Sequence, residues 1–279
     1  MPIFWQGNRV ALMRHQADQF GKEQGGKDRL RLLSYNIQAG VDTSSYREYV
    51  TKSWKHILPH QERQNNLDCI AGIIKDFDLV GLQEVDSGSL RSGFIDQTEY
   101  LASQADFPYW HKQVNRRIGK LAQHSNGVLS RLMPSAIAEH QLPGLPGRGA
   151  LLIEFQTSEQ PLAICILHLA LGKRARMRQL AYVSEVISHY SHLVLMGDFN
   201  CGCGSREFTY LMESTGLQGS SCNLHTFPSW RPKRKLDHIL ASPSLRVART
   251  EVLHYTHSDH LPIMLEIELP DNVDLARAA

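Results

Sequence analysis

The chain of 279 residues is long enough for one large domain or two small ones. With 42% hydrophobic and 21% charged residues, its composition is that of an ordinary globular protein and argues against extended disorder. The formal net charge of +2 is too small to indicate nucleic-acid binding by itself, so any phosphate-binding surface must come from local clusters of charge.

The five cysteines favour neither a disulfide framework nor a zinc site. Their number is odd, and Cys69 and Cys165 lie in apolar stretches, where we expect both to be small buried hydrophobic side chains. The Cys201-Gly202-Cys203 segment lacks a second spaced pair, which favours a glycine-rich turn over zinc. This usage fits a reducing compartment. Residues 1–20 lack the apolar core of a signal peptide, and no stretch approaches the roughly 18 apolar residues of a membrane span, so we expect a cytoplasmic protein without a transmembrane segment.

The predicted elements alternate between short apolar strands and amphipathic helices. Residues 1–28 are polar and are predicted to form a peripheral extension, whereas 29–279 are predicted to be one domain because no repeat or change in composition divides them. In chain order the predicted elements are strand 30–37, helix 46–75, strands 78–82, 149–155 and 162–167, helix 173–190, and strands 193–196, 236–240 and 263–269.

Several of these strands deliver a polar side chain where they end. Asn36, Glu84, His168, Asp198 and Asn200 all occupy such positions. In sheet proteins, strand ends bring side chains from distant parts of the sequence to one edge of a rigid scaffold. Five such cases predict a site.

The residue types indicate a metal and a histidine base. Glu84 and Asp259 are hard oxygen ligands suited to Mg²⁺ or Mn²⁺, and the amide oxygen of Asn36 can complete such a site. His260 needs an orienting partner if one ring nitrogen is to act as a base, and Asp237 is the candidate.

Basic residues cluster at the start of the helix predicted after His168. Their positive charge opposes the helix dipole there. Such residues commonly form a solvent-exposed helix face. An anion bound beside His168 would explain the charge better, and Arg178 is the candidate to bind it. The cluster consists of Lys173, Arg174, Arg176 and Arg178.

A second basic cluster, Arg116, Arg117 and Lys120, lies in a predicted hairpin near His111 and Trp110. Basic and aromatic residues together suit a nucleic-acid strand or a phospholipid headgroup equally well.

Six motifs, in order, resemble those of the endonuclease/exonuclease/phosphatase superfamily. The resemblance covers about residues 30–269 and is strongest to the branch of deoxyribonucleases, sphingomyelinases and deadenylases, because Gln38 replaces an acidic residue usual in abasic-site enzymes and His168-Leu169 is absent from them. The motifs are Ser34-Tyr35-Asn36-Ile37-Gln38, Leu82-Gln83-Glu84-Val85, His168-Leu169, Gly197-Asp198-Phe199-Asn200, Leu236-Asp237-His238-Ile239 and Ser258-Asp259-His260-Leu261-Pro262.

The resemblance implies an α/β fold, a four-layer α/β/β/α sandwich of two mixed β-sheets flanked by helices. It also implies hydrolysis of a phosphate ester with Mg²⁺ or Mn²⁺ as cofactor. By matching position, Glu84, Asn36 and Asp259 would hold the metal, while Asp198 and Asn200 would position the attacking water and the phosphate. His260, held by Asp237, would act as general base or electrostatic partner, His168 would bind a phosphoryl oxygen, and Asn126 would line the cleft.

These observations favour a divalent-metal-dependent phosphodiesterase, with nucleic acid preferred as the substrate over a lipid headgroup. The alternative, a phospholipid or inositol-phosphate phosphoesterase, predicts an exposed apolar lip, for which Phe94, Phe107, Tyr109 and Trp110 are candidates. An alternative of another class is an inactive phosphate-binding module, against which the full set of catalytic side chains argues. The sequence indicates no protein partner.

Overall fold

The computed structural model of the protein describes residues 29–40, 61–157, 160–219 and 221–269. The predicted N-terminal extension, residues 1–28, lies outside these ranges, and so does the part of the predicted first helix before residue 61.

The described residues form two six-stranded sheets, both with parallel and antiparallel pairs. The strand order is β11-β12-β1-β2-β4-β3 in the first sheet and β5-β6-β7-β8-β10-β9 in the second. The strands are β1 Arg29–Asn36, β2 Leu79–Asp86, β3 Tyr109–Ile118, β4 Ala122–Ser130, β5 Ala136–Gln141, β6 Gly149–Phe155, β7 Leu162–His168, β8 His192–Asp198, β9 Gln218–Gly219, β10 Asp237–Ala241, β11 Arg246–Val252 and β12 Ile263–Glu268.

Four α-helices in the described ranges cover the outer faces of the sheets, which completes the α/β/β/α sandwich. The first two pack on the first sheet and the last two on the second. They are α1 Gln61–Ile74, α2 Gln97–Gln104, α3 Lys173–Ile187 and α4 Arg206–Thr215.

Strand β1 shows why the sequence has continuous apolar runs. Leu30 and Leu32 face the second sheet, whereas Leu33 and Tyr35 point the other way into the layer of α1 and α2. Successive strand residues point to opposite faces, so a strand covered on both sides needs apolar residues at nearly every position.

The topology brings many strand ends to one edge of the sandwich. Parallel strands β1 and β2 end there, as do the parallel strands β7 and β8 of the other sheet, and their antiparallel neighbours β4, β6 and β10 begin there. A hydrogen bond from Asn36 to Asp198 joins the two sheets at these ends. We call this edge, with the loops that extend from it, the site edge.

Among the described residues, none of the helices combines the length and the apolar character needed to cross a bilayer.

Candidate active site

Three of the candidate side chains lie on adjacent strands at the site edge. In the register of the second sheet, Asp198 at the end of β8 pairs with His168 on one side and with Asp237 on the other. All three are buried, so their charges and hydrogen bonds act in a poorly solvated space.

Gly197 allows β8 to deliver Asp198 at this point. Its φ of 144° is a conformation that only glycine adopts readily, and a Cβ atom there would lie 1.9 Å from the carbonyl oxygen of Leu167. The close approach of β7 to β8 therefore requires glycine immediately before the buried carboxylate.

Asp198 is the most connected carboxylate of the site. Oδ2 accepts a hydrogen bond from Nδ2 of Asn36 at 3.1 Å and lies 3.4 Å from Nε2 of His168 and 4.0 Å from Nε2 of His260. Oδ1 accepts from the backbone N–H of Asn200 at 2.9 Å. Burial raises the pKa of Asp198 to about 7; His260 opposes the shift and Asp237 adds to it.

His260 and Asp237 form a buried pair. Nδ1 of His260 lies 2.8 Å from Oδ2 of Asp237, which leaves Nε2 directed toward Asp198. Burial lowers the pKa of His260, but the charges of Asp237 and Asp198 outweigh burial and raise it well above its ordinary value. Oδ1 of Asp237 accepts no hydrogen bond from any described residue, so a polar acceptor remains available beside the pair.

His168 is held in one tautomer by Arg148. Nη1 of Arg148 lies 3.4 Å from Nδ1 of His168, and a guanidinium can only donate, so Nδ1 accepts and Nε2 carries the proton. Burial, with the charge of Arg148, lowers the pKa of His168 to about 3. A neutral imidazole therefore presents an N–H between Asp198 and Glu84, whose Oε1 is 3.8 Å away.

Glu84 lies inside β2, not after it as the sequence predicts. The register with β4 shifts between Leu82 and Val85, and Glu84 has a φ of 57°, so a β-bulge turns its side chain toward the site. Burial opposes its ionisation, but His168, His260 and Arg148 hold its pKa below the usual value.

The oxygen donors predicted for a metal meet at the same place. The side chain of Asn36 hydrogen-bonds to Glu84. Burial is the largest cause that raises the pKa of Asp259, to about 6, and the negative charge of Glu84 adds to it. Two carboxylates and an amide oxygen are hard oxygen ligands, and such a set fits Mg²⁺ or Mn²⁺. Asp198, Asp237 and His260 form a second compact group, with one ligand atom from each lying within 4.8 Å of the others, but in it Asp237 and His260 already bond each other.

Of the two predicted substrate contacts, Asn126 lies near the site, whereas Arg178 does not contact it. Asn126 is fully buried on β4, donates Nδ2 to the carbonyl of Gly149 at 3.0 Å, and leaves Oδ1 without a partner among the described residues. Arg178 is exposed on α3, and no described contact joins it to the site. The cation that does contact His168 is Arg148, which sequence reasoning missed.

The position of Arg148 in the sequence is enough to predict that it lies at the site edge. It directly precedes β6, and β6 runs antiparallel to β7, so its start must meet the end of β7 at His168. A charged residue at the start of such a strand belongs to the same edge as the polar residues at strand ends.

The basic start of α3 has a structural explanation. Arg176 is buried, and its Nε and Nη2 donate to Oε1 of Glu207 on α4 at 2.9 and 2.7 Å. Its Nη1 donates to the carbonyls of Ala170 and Leu171, which follow His168. One of the four basic residues therefore fixes a loop of the site and does not bind an anion.

The cysteine interpretation is wrong for one pair. Cys203 and Cys222 form a disulfide, with Cα atoms 5.9 Å apart, which ties the turn after β8 to the segment before β10. Their 19-residue separation gave no sequence signal. Cys69, Cys165 and Cys201 are free. Cys165 is buried as predicted, but the prediction is wrong for Cys69, which is exposed on α1.

The motifs and geometry agree with a known family. The profile of the Endonuclease/Exonuclease/phosphatase family matches residues 33–260. This chain belongs to that family. Its members are metal-dependent phosphoesterases, so the chain is classed with phosphoric ester hydrolases.

Solved structures show the same fold at low sequence identity. A mannosyl-6-phosphatase from Bacteroides thetaiotaomicron is 19% identical with a TM-score of 0.64, and the alignment covers 85% of this chain and 99% of that one. The human nocturnin catalytic domain, with a bound sulfate anion, is 17% identical with a TM-score of 0.64, covering 89% and 95%. A humanized TDP2 from D. rerio is 16% identical with a TM-score of 0.61, covering 86% and 99%. No curated protein matches the chain.

Proposed function

We propose that this family member is a divalent-metal-dependent phosphodiesterase. The observation that carries the proposal is the Asp237–His260 pair, whose free Nε2 faces Asp198 at the edge where Glu84 and Asp259 also converge. Hydrolysis of a phosphate ester needs a positioned water, neutralisation of the phosphoryl oxygens and a group that handles the proton.

The metal is proposed to be Mg²⁺ or Mn²⁺, held by Asn36, Glu84 and Asp259. When bound, it supplies positive charge that polarises a phosphoryl oxygen and stabilises the charge that develops on it.

The chain's own side chains have complementary roles in this proposal. Asp198 and Asn200 orient the attacking water, whose oxygen forms the new bond to phosphorus as the ester P–O bond breaks. His260, fixed by Asp237, serves as general base or electrostatic partner. The Nε2–H of His168 donates to a phosphoryl oxygen, and Arg148 fixes that tautomer.

The substrate contacts include Asn126, whose unpartnered amide oxygen faces the cleft in this proposal. We assign the anion-binding role predicted for Arg178 to Arg148, because Arg148 lies beside His168.

Nucleic acid is the first substrate candidate. The β3–β4 hairpin supports it, since Arg116, Arg117 and Lys120 are exposed there beside the cleft. A phospholipid headgroup is the second candidate, and exposed apolar side chains at the site edge favour it. The predicted lip is wrong in three residues. Phe107 is buried under Arg131, and the half-buried Tyr109 and Trp110 pair with Ser130 and Leu129 at the edge away from the site. Phe94 is 64% exposed at the site edge.

We also propose that residues 29–279 form one domain, with 1–28 as an extension, and that the protein is cytoplasmic. The family match over 33–260 supports the first proposal. Disulfides are rare in the reducing cytoplasm, so the Cys203–Cys222 disulfide argues against a cytoplasmic location, and cell fractionation tests that proposal directly.

A substrate panel tests the proposed function. The full-length protein is incubated with plasmid DNA, RNA, sphingomyelin vesicles and inositol phosphates, with Mg²⁺, with Mn²⁺ and with EDTA. Metal-dependent cleavage of one phosphodiester class supports the proposal and names the substrate. No cleavage of any phosphodiester under any metal condition contradicts it and favours an inactive phosphate-binding module.

A further inference from the structure

Exposed apolar side chains concentrate at the site edge. Nine large apolar residues are exposed in the described ranges, and five of them lie on four neighbouring loops around the cleft. Single exposed apolar residues are ordinary, but five on one edge are not. They are Phe94 (64% exposed), Ile118 (42%), Leu121 (50%), Leu145 (87%) and Leu171 (76%), and we call them the apolar rim.

The four loops contact one another and form a continuous surface. The backbone N–H groups of Leu90 and Arg91 donate to the carbonyls of Lys120 and Leu121, which joins the turn before Phe94 to the tip of the β3–β4 hairpin. The side chain of Arg116 lies against Gly147, which joins the hairpin to the loop of Leu145.

The side chain of Gln179 completes the surface. It donates to the carbonyl of Pro143 and accepts from the N–H of Ala170, so it joins the loop of Leu145 to that of Leu171.

Exposed cations flank the apolar rim. Arg116, Arg117 and Lys120 lie on the hairpin, and Lys173 and Arg174 lie at the start of α3. None of the five forms a salt bridge with a carboxylate in the described part of the chain, whereas buried Arg176 does so with Glu207. Exposed cations without an ion-pair contact, placed around exposed apolar side chains, form a surface that suits an anionic, partly apolar partner.

We propose that the apolar rim and its flanking cations dock on an anionic phospholipid bilayer, with the active site facing the membrane. Transfer of leucine and isoleucine side chains from water to the boundary between headgroups and acyl chains is favourable, and adjacent Lys and Arg side chains are attracted to anionic lipids. A single strand of nucleic acid is bound by aromatic stacking and cations, and four of the five rim residues are aliphatic and cannot stack. The inference deepens the proposed function by placing the second substrate candidate, a membrane phospholipid, ahead of nucleic acid. It rests on the proposed function for that step alone, because docking needs no catalysis.

Vesicle co-sedimentation tests the docking without turnover. The full-length protein, in EDTA, is mixed with phosphatidylcholine vesicles with and without phosphatidylglycerol. We expect binding to the anionic vesicles that weakens as salt rises, because surface charge is screened.

Two variants separate the rim from a general effect of added charge. Leu145→Glu/Leu171→Glu is expected to lower partitioning by about tenfold or more, since it removes apolar contact and adds anionic repulsion. The control, Met133→Glu/Val247→Glu, alters exposed apolar residues at the opposite edge and is expected to stay within about twofold of the parent.

Three results would overturn the docking proposal: background binding of the parent to anionic vesicles, equal losses in the two variants, or rim-dependent binding of DNA in place of vesicles. Hydrolysis of the soluble diester bis-(p-nitrophenyl) phosphate with Mg²⁺ is measured alongside. If the parent hydrolyses this diester but does not bind the vesicles, the membrane inference alone is overturned. If the parent does not hydrolyse it, the result counts against the proposed function.

Discussion

Nδ1 of His260 lies 2.8 Å from Oδ2 of Asp237, and both side chains are buried at the edge where the two sheets meet. The pair fixes the direction of the imidazole, so that Nε2 faces the carboxylate of Asp198. A histidine held in this way can act on a proton or a phosphate oxygen without rotating first.

Asp237→Asn tests the importance of this pair. The amide keeps the size of the side chain but removes the negative charge that orients and stabilises the imidazole. We expect kcat on bis-(p-nitrophenyl) phosphate to fall by about 10²- to 10⁴-fold, which is the contribution that a positioned acid–base group makes to the rate. Circular dichroism serves as the folding control. A kcat within about threefold of the parent, in a folded variant, contradicts the role.

Arg176→Met tests the buried ion pair behind the loop of His168. The change leaves Glu207 as an unpaired buried charge and removes the donor to the carbonyls of Ala170 and Leu171. We expect the free energy of unfolding to fall by about 3–5 kcal/mol in urea denaturation. Arg176→Met/Glu207→Leu removes both charges and should recover part of the loss. A double variant less stable than the single one contradicts this explanation.

Gly197→Ala tests the close approach of β7 and β8. The added Cβ would meet the carbonyl oxygen of Leu167, and alanine does not adopt a φ of 144° without strain. We expect a loss of about 3 kcal/mol or more in the free energy of unfolding. Gly204→Ala is the matched control, because no atom lies within 4 Å of its added Cβ, and it should change stability by less than about 0.5 kcal/mol.

His238 gives the fold a measurable pH dependence. It is fully buried, donates Nε2 to the carbonyl of Cys201 at 2.8 Å, and burial lowers its pKa to about 4. The unfolded chain takes up the proton near pH 6.5, whereas the folded protein does not until about pH 4, so stability is lost as pH falls through that window. The total loss is about 3 kcal/mol from a shift of this size.

The contribution of His238 is isolated by comparison with His238→Gln. Other groups also titrate in this range, so the measured quantity is the difference in unfolding free energy between the parent and the variant at pH 7 and at pH 4. The parent should lose more stability than the variant over this interval. Equal losses would show that His238 does not titrate on unfolding.

The sequence predicts the site better than its surroundings. The strands ending at Asn36, His168 and Asp198 are confirmed, since covered strands read as apolar runs that stop at a polar residue. The predicted hairpin at Arg116, Arg117 and Lys120 is confirmed as β3–β4. Strands β5 and β11 are hard to detect, because one face of each is polar and their apolar residues do not form runs.

Features that depend on distant contacts lie beyond the sequence pattern. The bulge at Glu84 follows from pairing with β4, the contact of Arg148 with His168 from the register of β6 and β7, and the disulfide from the approach of two turns. Charge against a helix dipole is visible in the sequence and favours Arg178 as the anion contact. Glu207, which neutralises Arg176 of the same basic cluster, lies on another helix, so that pairing is not visible. Whether the proposed roles of Asn126, Asn200 and the metal ligands are correct stays a prediction.

The most direct test of the central claim is hydrolysis of bis-(p-nitrophenyl) phosphate by the parent and by Asp198→Asn, each treated with EDTA and then given Mg²⁺ or Mn²⁺. We expect EDTA to abolish the activity of the parent and the added metal to restore it. Asp198→Asn should stay at least about 10²-fold less active with metal present, because the water is no longer oriented. Equal activity of the two proteins, or activity that EDTA leaves unchanged, would contradict it.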